Sequence, residues 1–444
     1  MNKKTRKSVF YGLCAVFVVA GVTAVLYAQG WRFDYETFGL KKVGGIYVRS
    51  FPDNAKIVLN GEFIDKKPGL LDRGRFIGNL FPKNYNLSLS EDGYLDWVEH
   101  VQVNSSLVSE IKYAVLIPKK SELVYVGTAK RFWADNDQII IDSGKSLFLN
   151  GEKISGSDVL WQNSGSKTVL TKNAAAKTYF LNYFSGSTPT STALNQKLSA
   201  SGINPSNIYE ITVDPALANN VILRTGTKIF SLNVVNREIS QLISSSSTIT
   251  KMAVSKSWIA WSSSDAKNEK SKVWFYERDS RSFRNAFELP GKTVGLGFRN
   301  DEGLGILQDD GGFYIGSSNG GLSAQAGQHE KTASDARNFV FSPDGSMAAV
   351  LENQAVEIFS LNSENNYWRF RLPENEKILR LEWYADKNHL FVIYPQETRF
   401  LDLNDKSLEN FPVIASGNQA HYDPRQNIFY FIKDNELRKL AFPK

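Results

Sequence analysis

Four histidines, His100, His329, His389 and His421, are the side chains here best suited to proton transfer or to holding a transition metal. No two of them are spaced as metal ligands, and each falls in or beside an expected turn or strand edge. Asp135-Asn136-Asp137 and Asp309-Asp310-Gly311-Gly312 have the look of calcium-loop fragments. Neither continues to a distal glutamate at the right spacing, and both sit where a turn between strands is expected. No phosphate loop occurs. The single cysteine, Cys14, excludes a disulfide within the chain and a cysteine-based metal site. The densest aromatic cluster is Trp258, Trp261, Trp274 and Tyr276. These are candidate binding aromatics, because such rings stack on sugars and anchor protein interfaces. Their alternation fits packing between sheets better. No catalytic, cofactor-binding or metal constellation emerges, and the chain is expected to be non-enzymatic and to need no cofactor.

The elements that carry these residues begin with an apolar segment. The 444 residues have a net charge of +6, and Lys3, Lys4, Arg6 and Lys7 supply four of those charges. The other 437 residues carry about +2 with no basic run, which excludes a nucleic-acid footprint. Residues 9–28 hold no charge, and twenty residues in a helix span about 30 Å, the thickness of a hydrocarbon core. The expected layout is a basic cytoplasmic tail at 1–7 and a transmembrane helix at 8–29, with all that follows outside the cytoplasm. Trp31 is placed to sit at the far interface. A cleaved signal peptide and a lipid anchor at Cys14 are the alternatives. Leu26-Tyr27-Ala28 is a poor cleavage site, and Tyr11-Gly12-Leu13 lacks the small residue expected before a lipidated cysteine.

After a linker at 30–42, the pattern changes to period two. Ile46 and Val48 alternate, Pro52-Asp53-Asn54-Ala55 turns, Ile57 and Leu59 alternate, and Asn60-Gly61 turns again. Tyr85, Leu87 and Leu89, a turn at Asp92-Gly93, then Tyr94, Trp97, Val101 and Val103 follow, and then Ile111, Tyr113, Val115 and Ile117. Six or seven short strands over residues 43–118 result. This order of features resembles a PEGA domain, a small β-sandwich of bacterial and archaeal cell surfaces. Pro52-Asp53-Asn54-Ala55 stands for the name-giving tetrad, with Asn54 where the family has a left-handed glycine. Asn60-Gly61 matches the Asp-Gly turn, Lys67-Pro68 the Thr-Pro pair, Pro82-Lys83-Asn84-Tyr85 the Pro-Gly-x-Tyr run, and Gly93-Tyr94 the Gly-Tyr pair. The resemblance implies a surface-associated binding or spacer module without catalysis.

Residues 119–444 repeat. Phe339 to Leu361 is the clearest copy: a short strand, an aromatic anchor at Phe341, a turn at Pro343-Asp344-Gly345, a strand, a turn, a strand. Equivalent anchors are Trp133, Trp161, Val213, Val254, Phe298, Trp383 and Tyr422. Successive anchors lie 28, 52, 41, 44, 43, 42 and 39 residues apart, and the first two intervals together span 80. The Ser/Thr-rich stretch at 185–202 accounts for the long second interval as a loop. A period near 42 with four strands per unit is the signature of a β-propeller. The last copy lacks an outer strand, and Ser121–Gly127 supplies a spare one that would close the ring. Eight blades are expected, with seven as the alternative. Phe341-Ser342-Pro343-Asp344-Gly345 is similar to the turn of WD-repeat-like and Tol-type propellers, and its last four residues resemble the Asp-box of sialidases. The Gly-His and Trp-Asp pairs of true WD repeats and the Asp-box tryptophan are missing.

The chain is therefore expected to be all-β apart from one N-terminal transmembrane helix. A PEGA-like β-sandwich would be followed by a seven- or eight-bladed propeller. The expected function is that of a single-pass, membrane-anchored extracytoplasmic scaffold of the cell envelope, with an envelope protein or glycan as partner and no nucleic acid. A propeller hydrolase or an envelope-assembly factor is the alternative. A hydrolase would gather acidic and basic side chains from several blades at one rim.

Overall fold

The structure is a computed structural model, and it describes residues 3–443 except 68, 70–72, 185–187, 266–269, 302, 318–320, 323–335, 354, 362–366, 373–376 and 406. His329 and Pro68 lie outside the described residues. The chain divides into two compact units, one of residues 1–120 with 407–410 and 441–444, the other of residues 121–406 with 411–440.

The first unit opens with helix α1 (Lys3–Ala28). It is apolar on all sides and none of its apolar window is buried against the rest of the chain, whereas a soluble helix hides one stripe. It is long and apolar enough to cross a bilayer. The segment 30–42, expected as a linker, is instead a hairpin of β1 (Trp31–Asp34) and β2 (Gly39–Lys42), paired from Trp31↔Lys42 to Asp34↔Gly39. Its alternation is only four residues long, too short to stand out from a loop.

Seven strands follow: β3 (Gly44–Phe51), β4 (Lys56–Leu59), β5 (Glu62–Ile64), β6 (Arg75–Leu80), β7 (Asn84–Ser90), β8 (Trp97–Gln102) and β9 (Val108–Val115). They form a sheet of order β6-β3-β9, with β3 and β9 parallel, and an antiparallel sheet of order β5-β4-β7-β8. Ile46, Val48, Ile57, Leu87, Leu89, Trp97 and Ala114 share one core between them. Asn60 and Gly61 both have positive φ (51° and 85°), as a two-residue hairpin turn requires, and Asn60 Oδ1 accepts from the Asn86 N–H at 2.8 Å. Asn54 departs from expectation. It is outside the left-handed region, and its side-chain amide donates to Glu91 Oε1 at 2.9 Å instead. The alternation in β9 also fails after Tyr113, which is exposed, because Ala114 to Ile117 are all buried. A register shift beside β3 accompanies the change.

The second unit contains eight four-stranded antiparallel sheets among its described residues. Blades 1 to 7 cover residues 131–154, 158–193, 210–244, 249–290, 293–322, 338–371 and 380–416. Blade 8 joins three strands from 420–441 to strand β10 (Glu122–Tyr125), which pairs antiparallel with Glu436–Ala441. Every anchor read from the sequence lies in the first, innermost strand of a blade. Inner strands neighbour one another from blade 1 to blade 5 and from blade 6 to blade 7, other strands bridge 5 to 6 and 7 to 8, and blade 8 returns to blade 1. The sheets therefore close into a propeller.

Each blade has two buried faces, and alternate residues serve different neighbours. In blade 3, Val221 and Leu223 pack toward blade 2, while Ile222 and Ile229 pack toward blade 4. In blade 1, Phe132 and Ile141 meet Tyr430 and Leu437 of blade 8, while Ile140 and Leu147 meet Val169 of blade 2. Middle strands buried on both faces read as unbroken apolar runs, such as Leu390–Ile393. Among its described residues, the Ser/Thr-rich 185–202 stretch is not a loop. It supplies the outer strand of blade 2, Pro189–Ala193, and then helix α2 (Asn195–Ala200), with Leu194 and Leu198 buried. An outer strand facing water on both sides has no use for apolar residues, so its composition resembles a loop's.

Candidate functional site: the two mouths of the ring

Like blades around one axis put the first residues of all inner strands at one mouth and the turns after them at the other. The first mouth is charged. Arg131, opening blade 1, donates from Nε to Asp142 at 2.8 Å, from Nη1 to Asp158 of blade 2 at 3.0 Å, and from Nη2 to the Ser157 carbonyl. Arg224 of blade 3 holds Glu210 at 2.8 Å and reaches the Ile249 carbonyl of blade 4 at 2.7 Å. Arg380 of blade 7 bonds the Ala420 carbonyl of blade 8 and pairs with Glu382 at 3.1 Å. Glu382 accepts the Tyr422 N–H at 2.9 Å and lies 3.5 Å from His421 Nδ1. Burial alone would lift the Glu382 carboxyl, but His421, Arg380 and that N–H hold it below the ordinary glutamate value. Cation meets acid across boundaries 1–2 and 7–8, and at 3–4 the Arg224 guanidinium, paired inside its own blade, reaches a backbone carbonyl of the next.

At the opposite mouth, side chains from the turns tie neighbouring blades together. Asp423 of blade 8 accepts the Asn136 N–H at 3.1 Å, and Asp135 of blade 1 accepts the Ser164 N–H of blade 2 at 3.0 Å. Asn163 of blade 2 donates to the Ala218 carbonyl of blade 3. Asp214 of blade 3 takes both terminal nitrogens of Arg278 of blade 4, at 2.6 and 2.7 Å. Asp301 of blade 5 accepts from Ser255 and Ser257 of blade 4, which hold it below the usual carboxylate range although burial opposes this. The acidic 135–137 stretch thus serves in inter-blade hydrogen bonds. Asp309, at the first mouth, accepts the Lys292 N–H at 2.8 Å beside the start of its own blade, in the turn that ends at Gly311 (φ 82°).

Trp258, Trp261 and Tyr276 are buried, and only Trp274 is half-exposed. Trp274 stacks on Trp261 at 6.3 Å and 11°, Trp258 meets Phe275 edge-on, and Phe283 packs on both Trp261 and Tyr276. Blade packing occupies three of the four candidate binding rings. Of the anchors, Val213 is exposed, whereas Trp161, Trp383 and Tyr422 are buried.

His389 is in the blade 7 core with 1% of its surface exposed. It opens its strand beside the Asp386 turn. Nδ1 lies 2.9 Å from Asp386 and Nε2 3.6 Å from Asp402, its partner on the next strand, while Phe400 stacks on the ring. Burial pushes its pKa down, but Asp402 and Asp386 outweigh that and raise it to about 9. An acid three residues before the histidine is the sequence signal for this cluster. His100 is exposed and pairs with Glu409 at 2.7 Å.

No protein-family model matches the chain, and no curated protein is similar to it. Solved structures of similar fold include Kluyvelomyces marxianus Hsv2, at 11% identity and TM-score 0.41, covering 63% of this chain and 95% of that one. The Cps50 (Swd1) β-propeller domain of Myceliophteria thermophila has 10% identity and TM-score 0.37, covering 54% and 88%. Hydrazine synthase of Kuenenia stuttgartiensis has 10% identity and TM-score 0.41, covering 73% and 98%.

Proposed function

We propose that this chain is a membrane-anchored, non-enzymatic scaffold of the cell envelope that binds a protein partner on its propeller. Helix α1 is the single span with its N-terminus in the cytoplasm, the β-sandwich is a PEGA-like spacer, and both β units stand outside the cytoplasm. One observation carries the binding reading. At the first mouth the exposed apolar side chains Tyr209, Val294 and Leu379 stand singly at the openings of blades 3, 5 and 7, while at the opposite mouth Val213, Leu217 and Val235 of blade 3 and Phe283 of blade 4 are exposed in adjacent blades. Apolar side chains gathered on one rim favour a protein surface over a small polar substrate. Affinity capture of the full chain from detergent-solubilised membranes should retain a defined envelope protein, and Leu217→Asp with Val235→Asp should release it. Equal capture by the variant, or turnover of an envelope glycan or peptide by the purified chain, would refute the reading.

A further inference from the structure

Helix α1 ends at Ala28, and β1 begins at Trp31. Three residues of chain span at most about 10 Å, so the base of the hairpin is confined close to the end of the helix. The two are also bonded directly. The Gly30 N–H donates to the Tyr27 carbonyl, Arg32 donates to the same carbonyl at 2.8 Å, and its guanidinium covers the Tyr27 ring at 3.5 Å. The Val43 N–H closes the base on the Gly30 carbonyl at 2.9 Å.

The hairpin is two-faced. Its register places Trp31, Phe33, Leu40 and Lys42 on one side, with Phe33 opposite Leu40 and Trp31 opposite Lys42. Arg32, Asp34 and Lys41 are on the other side, where Lys41 pairs with Asp34 at 2.7 Å. At the tip, Tyr35 and Phe38 are 79% and 81% exposed, and Phe33 and Leu40 are exposed behind them. Phe33 makes edge contacts with Tyr35 at 5.1 Å and Phe38 at 6.4 Å. Phe38 is held at φ 49°, a left-handed conformation costly for a bulky side chain. Asp34 braces that turn by accepting from the Glu36 N–H and the Thr37 hydroxyl. Strain and bracing are thus invested in presenting aromatic rings to the outside.

We propose that this hairpin lies in the lipid headgroup layer of the leaflet where α1 ends, with Trp31, Phe33, Tyr35, Phe38 and Leu40 at the acyl boundary and Arg32 and Lys41, on the opposite face, toward the phosphates. The inference rests on α1 being a span. Covalent continuity with the helix selects the occupant. The layer between a hydrocarbon core of about 30 Å and the bulk water is only several ångströms deep on each side, and the hairpin base cannot leave its neighbourhood. Amphipathic aromatic rings and basic side chains are the composition such a layer takes. The device would seat the β-sandwich that follows it against the membrane surface, where a bare helix end would leave it on a swivel.

The test uses the full chain in lipid vesicles with an environment-sensitive fluorophore on one cysteine. Cys14 itself reports the span. Tyr35→Cys and Leu40→Cys, in a Cys14→Ser background, report the hairpin, and Ser280→Cys reports bulk solvent. Nitroxide lipids quench at either headgroup or mid-chain depth. The expected result is loss of Cys14 fluorescence with the deep quencher, loss at 35 and 40 with the shallow one, and no loss at 280. A deeply quenched Cys14 with labels at 35 and 40 that behave like the one at 280 would overturn the hairpin proposal and keep the span. An unquenched Cys14 would overturn the span and the proposal together.

Discussion

The Asp214–Arg278 pair is where one substitution should most loosen the ring. The Asp214 side chain is 0% exposed and that of Arg278 14%, and two charge-assisted hydrogen bonds join blade 3 to blade 4. In Arg278→Ala the carboxylate stays buried and, among the described residues, keeps the Ala216 N–H at 2.9 Å. Removing one member of such a pair costs about 3–5 kcal/mol, because the survivor has lost water and partner alike. Asp214→Asn removes the charge, so the double variant should be less destabilised than the two single changes combined, with a coupling of roughly 1–3 kcal/mol. Urea unfolding of the full chain in detergent, followed by circular dichroism, measures this. At a slope of about 3 kcal/mol per molar urea, the midpoint of the propeller transition in Arg278→Ala should fall by about 1 M with the slope unchanged. A loss under about 1 kcal/mol, or strict additivity in the double variant, would show that the pair is solvated and does not fasten the blades.

Gly305→Ala should destabilise by about 1–3 kcal/mol, since its Cβ would come within 2.6 Å of Phe339 and 2.7 Å of Phe341, and thermal unfolding reads it directly. Leu437→Ala, fully buried between blades 8 and 1, should cost about 2–5 kcal/mol and make the segment around 121–127 sensitive to protease, because strand β10 is held by that seam. His389 carries a folded pKa raised to about 9 from an ordinary value of about 6.5. The stabilisation from its charged form is complete below about pH 6.5 and is lost as pH rises through about 9, by up to roughly 3 kcal/mol. Unfolding free energy at pH 6 and pH 10 should differ accordingly, and His389→Gln should remove that difference. Gly61→Ala, at φ 85°, should cost about 1 kcal/mol in the first unit alone, readable as a shift in its own unfolding transition.

Some of this was legible before any coordinates. The apolar run, the turn at Asn60-Gly61, the period near 42 and the spare strand at Ser121–Gly127 are local patterns, and each recurs at its expected place. Asn54 shows where local pattern stops. Its type suits a left-handed turn, but hydrogen bonding to Glu91, distant in sequence, gives the side chain another use. The 185–202 stretch shows the same from the other side, because polarity reports exposure and an exposed strand shares it with a loop. The hairpin at 31–42 was hidden by its brevity.

Repeat spacing, strand alternation and turn chemistry depend on neighbours within a few residues, so the amino-acid order alone determined the repeat length, the closing strand and the apolar helix, while the structure decided eight blades over seven. Which charges meet across blades, and which aromatic rings are covered, depends on residues dozens to hundreds of positions apart, as Asp214 and Arg278 or Asp423 and Asn136 are. Only closure of the ring brings such pairs within hydrogen-bond reach, and only the folded sheets make Trp258 and His389 interior groups.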